Sequence, residues 1–171
     1  MRNFHALALA VALGSIASLA VSRCNADEAD HETRKRGQYL AGIMDCTGCH
    51  TPGALRGQPD ATRALAGSDV GFELPGLGIF YPPNLTSDEQ TGLGKWSAAQ
   101  IVTAVRTGAR PDGRILAPVM PYHSYAALSD DDAGALAAYL KALPPVRNAV
   151  PQPVGPQQRP PAPYLTLAMP K

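Results

Sequence analysis

Cys46-Thr47-Gly48-Cys49-His50 is the stretch from which the fold is read. Two thiols three residues apart share one helical turn, where they can add to the two vinyl groups of a haem. The histidine that follows places an imidazole under the iron. A ring attached this way belongs to the chain and to its core. A zinc site needs four ligands, and the sequence has no second cysteine pair. A thioredoxin-type redox pair opens a helix in a βαβ unit, and nothing here alternates that way.

Composition agrees. The chain has 171 residues, enough for one domain plus extensions, with 6% aromatic residues and 33 Pro plus Gly. Those proportions suit short helices and structured loops wrapped around a large apolar prosthetic group. The first 26 residues read as an export signal: Arg2, an apolar run from Ala6 to Val21, then Cys24-Asn25-Ala26 suited to cleavage before Asp27. Export places the remaining chain in the periplasm. Arg23 stands where a lipoprotein site at Cys24 needs a small residue, whereas Phe4 to Val21 approaches spanning length, so a retained membrane anchor stays open. With Cys24 removed, only Cys46 and Cys49 remain, both free for thioether bonds. From Asp27 onward 13 Lys and Arg face 14 Asp and Glu, a balance that argues against nucleic acid as a partner.

The elements follow from pattern. Glu32 to Asp45 is predicted helical, with Tyr39, Leu40, Ile43 and Met44 on the buried stripe and Arg34, Lys35 and Arg36 outward. Gly37 and Gly42, poor helix formers, are expected where another helix comes close. Thr51 to Ala66 reads as loop, and Val70 to Tyr81 as a small β-hairpin around Pro75-Gly76-Leu77-Gly78. Pro82-Pro83-Asn84-Leu85 forces an extended turn. Trp96 to Gly108 has a full helix grammar: Ser97 caps, Gln100 completes a capping box, Trp96 and Ile101 form a staple, and Gly108 terminates. Its stripe is Ala98, Ile101, Val102 and Val105. The last helix starts at the Ser129 cap, carries Asp130, Asp131 and Asp132 in its first turn, buries Ala133, Leu136, Ala137, Leu140 and Leu143, and stops at Pro144-Pro145. The expected fold is therefore all-α with a small hairpin. The domain spans residues 27–146, followed by a Pro-rich tail over 147–171. From Pro144 on, nine prolines in 28 residues and three cationic side chains without an acid cannot build a core. Such a tail lies extended, either disordered or strapped over a surface.

His50 is the proximal ligand by motif, and the far side of the iron divides electron carriers from haem catalysts. Met44 lies on the helix that delivers Cys46, and Met169 lies in the tail. Met120, 70 residues beyond His50, has enough chain to pass round the ring and is held between Pro118 and Pro121, which stiffen its loop. His123 is the rival, giving a bis-histidine iron. A thioether opposite an imidazole favours the ferrous state and raises the potential relative to two histidines.

Cys46–His50 near the front, Met120-Pro121 late and helices at each end resemble class I c-type cytochromes. Tyr81-Pro82-Pro83-Asn84-Leu85-Thr86-Ser87-Asp88, Thr91-Gly92-Leu93-Gly94-Lys95-Trp96-Ser97 and Pro118-Val119-Met120-Pro121-Tyr122 resemble, more particularly, haem domains of cytochrome subunits serving bacterial periplasmic alcohol, aldehyde and sugar-acid dehydrogenases. The resemblance covers about Arg36 to Val146. It implies that the Pro83 carbonyl accepts from His50, that Leu85 packs on the ring, and that Trp96 lies near a propionate. It also implies that Gly37 and Tyr39 cross Ala137, Ala138 and Tyr139. The best-known subunits with this pattern carry three such domains and a membrane-binding tail, whereas this sequence has one motif, no repeat and a Pro-rich end. The expectation is an exported carrier with one haem c held by Cys46 and Cys49. It would take electrons from a periplasmic dehydrogenase and pass them to a cytochrome or terminal oxidase. A tightly held dehydrogenase subunit and a haem enzyme with an open iron are the alternatives.

Overall fold

Helix α1 runs through residues 27–43 and sets the frame against which the haem motif is placed. In the computed structural model, residues 27–168 and 170 are described. The export-signal reading of residues 1–26, Cys24 and Met169 lie outside the described residues. On α1 the buried positions are Gly37, Leu40 and Ala41, with Met44 half-buried just beyond, a spacing of three and four that belongs to one helix face. Tyr39 and Ile43 are 56% and 62% exposed, so the expected stripe is rotated. The cause is Gly37. A Cβ there would lie 2.0 Å from the Ala135 carbonyl oxygen and 2.6 Å from Tyr139 Cβ. Backbone contact at that depth decides which face turns inward. The crossing therefore falls at Ala135 and Tyr139, while Tyr39 points away with the Arg36 guanidinium 5.3 Å from its ring centroid. Gly42 has no neighbour within 4 Å and marks no contact.

Asp45, at φ 52°, reverses the chain between α1 and α2 (Cys46–His50). Beyond two single-turn 3₁₀ segments, β1 (Gly71–Leu74) and β2 (Gly78–Phe80) form the expected hairpin, with Phe72 opposite Phe80 and Glu73 opposite Ile79. A third strand, β3 (Tyr164–Leu165), joins β1 in parallel to give the order β2-β1-β3. The architecture is thus mostly helical with a small mixed sheet, not all-α.

Helix α3 (Ala98–Thr107) carries the reciprocal Ser97 and Gln100 capping box and ends at Gly108, φ 76°. Ile101 and Ala104 are buried and Val102 and Val105 half-buried, but Ala98 is exposed. The first turn stands clear of the core, and the stripe begins one turn later than expected. Helix α4 is the short Tyr122–Tyr125 turn, and α5 is Asp130–Ala142, with Asp132 N donating to Ser129 Oγ at 3.1 Å. Ala133, Leu136, Ala137 and Leu140 of α5 are buried as expected, and Leu143 is half-buried. Leu136 and Leu140 meet Ala41, Leu65, Leu93 and Ile101 in one core cluster. Each such aliphatic side chain contributes about 1.5–3 kcal/mol by leaving water. Among the described residues no helix is long and apolar enough to cross a membrane.

The Pro-rich segment is strapped on. Val154 exchanges backbone bonds with Ile79 at 2.9 and 3.0 Å, the Ala162 carbonyl accepts from Tyr81 Oη at 2.8 Å, and Gly71 N donates to Pro163 O at 2.9 Å.

Candidate functional site

Three functional side chains stand on the single turn of α2. Cys46 is buried and Cys49 half-buried; both are free thiols. Burial pushes the Cys46 thiol up to about 11 and raises Cys49 as well, with the Asp45 carboxylate adding to both shifts. A redox-active pair needs the opposite shift, because the thiolate is the attacking species. These sulfurs stay protonated, the form in which a thiol adds across a vinyl group. Among the described residues no group of three or more His, Cys, Asp and Glu side chains is placed to hold a metal ion.

His50 is buried, and its Nδ1 lies 2.8 Å from the Pro83 carbonyl oxygen. A carbonyl oxygen only accepts, so Nδ1 carries the proton and Nε2 keeps its lone pair free. Burial pulls the imidazole below its ordinary pKa, and the Pro83 bond opposes the shift only in part, so the ring is neutral at pH 7. A neutral imidazole with one nitrogen tied to a carbonyl is the state in which a histidine donates to iron. Thiols, turn and imidazole together fit a covalent haem.

Two of the other predicted site residues share a core cluster with α2. Cys46 belongs to the core cluster, against which Leu85 and Trp96 pack half-buried. The Arg110 guanidinium stands 5.2 Å from the Trp96 ring centroid, and Asp112 joins Arg110 to Arg114. Met120 is half-buried and is not among the side chains of that cluster. Its loop is held by Met120 N to Ala117 O at 2.9 Å and Tyr122 N to Met120 O at 2.8 Å. Tyr122 is seated against Gly108, where a Cβ would come within 2.9 Å of its ring, so the Met120 loop is moored to the end of α3. His123 is exposed on α4, its ring centroid 4.3 Å from that of Tyr122.

The cytochrome c family model matches residues 34–144, from α1 to the end of α5. The chain belongs to the cytochrome c family. Membership implies a covalently bound haem c and places this cytochrome among the haem proteins of electron transport. The cytochrome is 39% identical over 132 residues to the alcohol dehydrogenase (quinone) cytochrome c subunit of Gluconobacter oxydans (strain 621H), a match over 77% of this chain and 25% of that protein. It is 37% identical over 142 residues to the gluconate 2-dehydrogenase cytochrome c subunit of Pantoea cypripedii, covering 82% of this chain and 30% of that one. It is 38% identical over 106 residues to the fructose dehydrogenase cytochrome subunit of Gluconobacter japonicus, covering 61% and 20%. The match thus spans under a third of the length of these relatives.

Two features of the cytochrome's site carried no signal in the local sequence. Tyr125 Oη donates to the Met44 carbonyl at 2.9 Å, tying the segment after Met120 to the turn before Cys46 across 81 residues. Asn84, 1% exposed, donates through Nδ2 to Thr91 Oγ1 at 3.0 Å and to Val146 O at 2.7 Å, and accepts from Thr86 N at 2.9 Å.

Proposed function

We propose that this cytochrome is an exported single-haem electron carrier, with His50 and Met120 as axial ligands, that receives electrons from a periplasmic dehydrogenase and delivers them to a cytochrome or terminal oxidase. The observation that carries the reading is the turn of α2, which carries Cys46, Cys49 and an imidazole whose Nδ1 is committed to Pro83 O at 2.8 Å. A haem bound there supplies one-electron chemistry at its iron. The protein's part is to hold it. Cys46 and Cys49 fix the ring in place, Pro83 sets the tautomer and aim of His50, and Leu85 and Trp96 lend apolar cover beside Cys46. Met120 is presented from a loop braced by Pro118, Pro121 and Tyr122. With Met120 as its second protein ligand the iron would be closed to small molecules, as a carrier requires.

The names of the relatives support a dehydrogenase as donor, and they also favour a second arrangement in which the cytochrome is a tightly held subunit of one such complex. Co-purification with a catalytic chain distinguishes the two. The ligand set is tested by spectra of Met120→Ala beside wild type, with His123→Ala as control. Loss of the low-spin six-coordinate spectrum in the first alone is the expected result; loss of it in the second alone would assign the bis-histidine form. Ready binding of carbon monoxide to the reduced wild type at pH 7 would return the site to the enzymatic reading.

A further inference from the structure

His50 is held at two points, and the C-terminal segment bears on both. Its carbonyl oxygen accepts from Gly67 N at 2.7 Å, and its ring Nδ1 meets Pro83 O at 2.8 Å. Gly67, φ 95°, lies between the two: a Cβ there would come 3.0 Å from Asn84 N and 3.2 Å from Pro82 O, and 2.4 Å from a Val150 methyl. Val150 therefore rests on the Gly67 backbone itself. Four residues earlier, Val146 O accepts from Asn84 Nδ2 at 2.7 Å and Val146 N donates to Thr86 Oγ1 at 3.2 Å, so Val146 brackets the residue after Pro83. Between them Asn148 donates from its backbone to Thr91 Oγ1 at 3.1 Å and from Nδ2 to Ala66 O at 2.8 Å. Asn84 and Thr86 are each 1% exposed, so these bonds are made out of water, where an unmade partner is costly.

We propose that Val146–Val150 is a clamp that fixes the Pro83 carbonyl against the His50 ring, with Asn84 as the positioning residue, so that the C-terminal segment tunes the iron His50 would hold. The inference rests on the ligand reading of His50 given above. A firm Nδ1–H···O=C bond makes the imidazole a stronger donor and favours ferric iron. Slackening the clamp weakens that bond and shifts the balance towards ferrous. The rest of the strap is different in kind: residues beyond Val154 bond to β1 and Tyr81 and, among the hydrogen bonds of the described residues, none goes to Gly67 or Pro83.

The test uses the full haem-loaded chain and its equilibrium with a redox mediator, read beside thermal unfolding. In Asn84→Ala, Asn148→Ala and a chain ending at Val146, the ferric-to-ferrous ratio at fixed solution potential is expected to fall about threefold to tenfold, tenfold being about 59 mV for one electron. A chain ending at Gly155 keeps the clamp and loses β3. It should unfold at lower temperature with its ratio within about twofold of wild type. Wild-type ratios in Asn84→Ala and Asn148→Ala would overturn the proposal, as would an equal shift in both truncated chains. If Asn84→Ala does not fold, Asn148→Ala and the two chain lengths decide. Wild-type protein lacking covalent haem would instead defeat the ligand reading, and is seen before any variant is made.

Discussion

Gly37 and Gly42 lie five residues apart on α1, both reading as weak points that a neighbouring helix would justify, yet a Cβ would meet another element only at the first. At Gly37 a methyl group would strike the Ala135 backbone and Tyr139 Cβ, neither of which is a flexible side-chain end that could move aside. Gly37→Ala should destabilise by about 2 kcal/mol after a helix-propensity gain of about 1 kcal/mol is set against the overpacking. Gly42→Ala has open space and should stabilise by about 0.5–1 kcal/mol. Urea unfolding of the two variants checks the opposite signs; two changes of the same sign would refute the crossing at Gly37. The other residue-scale lesson concerns His50. The bond to Pro83 is legible only through the resemblance of the Tyr81–Asp88 stretch, since no local pattern assigns an acceptor to a histidine 33 residues away. The Tyr125 bond to Met44 was not legible, since a tyrosine at an exposed-looking turn carries no mark of a partner 81 residues away.

At the scale of elements, what could be read was what is decided locally. The α3 and α5 limits were set by Ser97 with Gln100, Gly108, Ser129 and Pro144, each acting within one turn of itself. Ser97→Ala removes one half of a reciprocal cap and should cost about 1 kcal/mol, measured by denaturant unfolding. What could not be read was which face of α1 turns in, because α5 decides it from outside the helix. The same pair of helices gives a pH test. The Asp132 carboxylate accepts from Arg36 Nε at 2.8 Å and Nη2 at 3.1 Å, and the Arg36 hydrogen bond holds it below the ordinary aspartate value of 3.8. A depressed carboxylate stabilises the folded state fully above its unfolded pKa, and that contribution is lost as pH falls through the lower folded value. Wild type should therefore lose its margin over Asp132→Asn as the pH drops below 3.8, and the margin should shrink in high salt because the pair is open to water. A margin independent of both pH and salt would place the effect of Asp132 elsewhere.

On the scale of the molecule, the tail settles a choice that composition left between a disordered extension and a strap. Nine prolines suit an extended path because they keep φ fixed and need no ladder donors, and the Val154 amide is used where the tail meets the sheet. Nothing in Tyr164-Leu165 announces a strand, and its partner Gly71-Phe72 lies more than ninety residues earlier, so pairing of this kind is invisible to any local pattern. The apolar residues of the segment divide accordingly. Val150 rests a methyl on Gly67 and Val154 bonds Ile79 through its backbone, whereas Leu165 and Leu167 are 46% and 77% exposed and are left for solvent or a partner. If tail and body form one cooperative unit, the amides of Gly71, Ile79, Val146 and Val154 should resist hydrogen exchange as long as that of Ile101 in the core of α3, because all five open only on global unfolding. The measurement also separates two roles for the segment. Slow exchange at Val146 and Val154 means that deleting residues 151–171 damages the fold, so loss of a dehydrogenase partner on deletion would say nothing about docking. Leu165→Ser and Leu167→Ser, which leave those amides protected, would be the variants that report on it. Exchange at unfolded rates from Val146 onward would dissolve the unit and leave residues 27–143 as the whole of the cooperative structure.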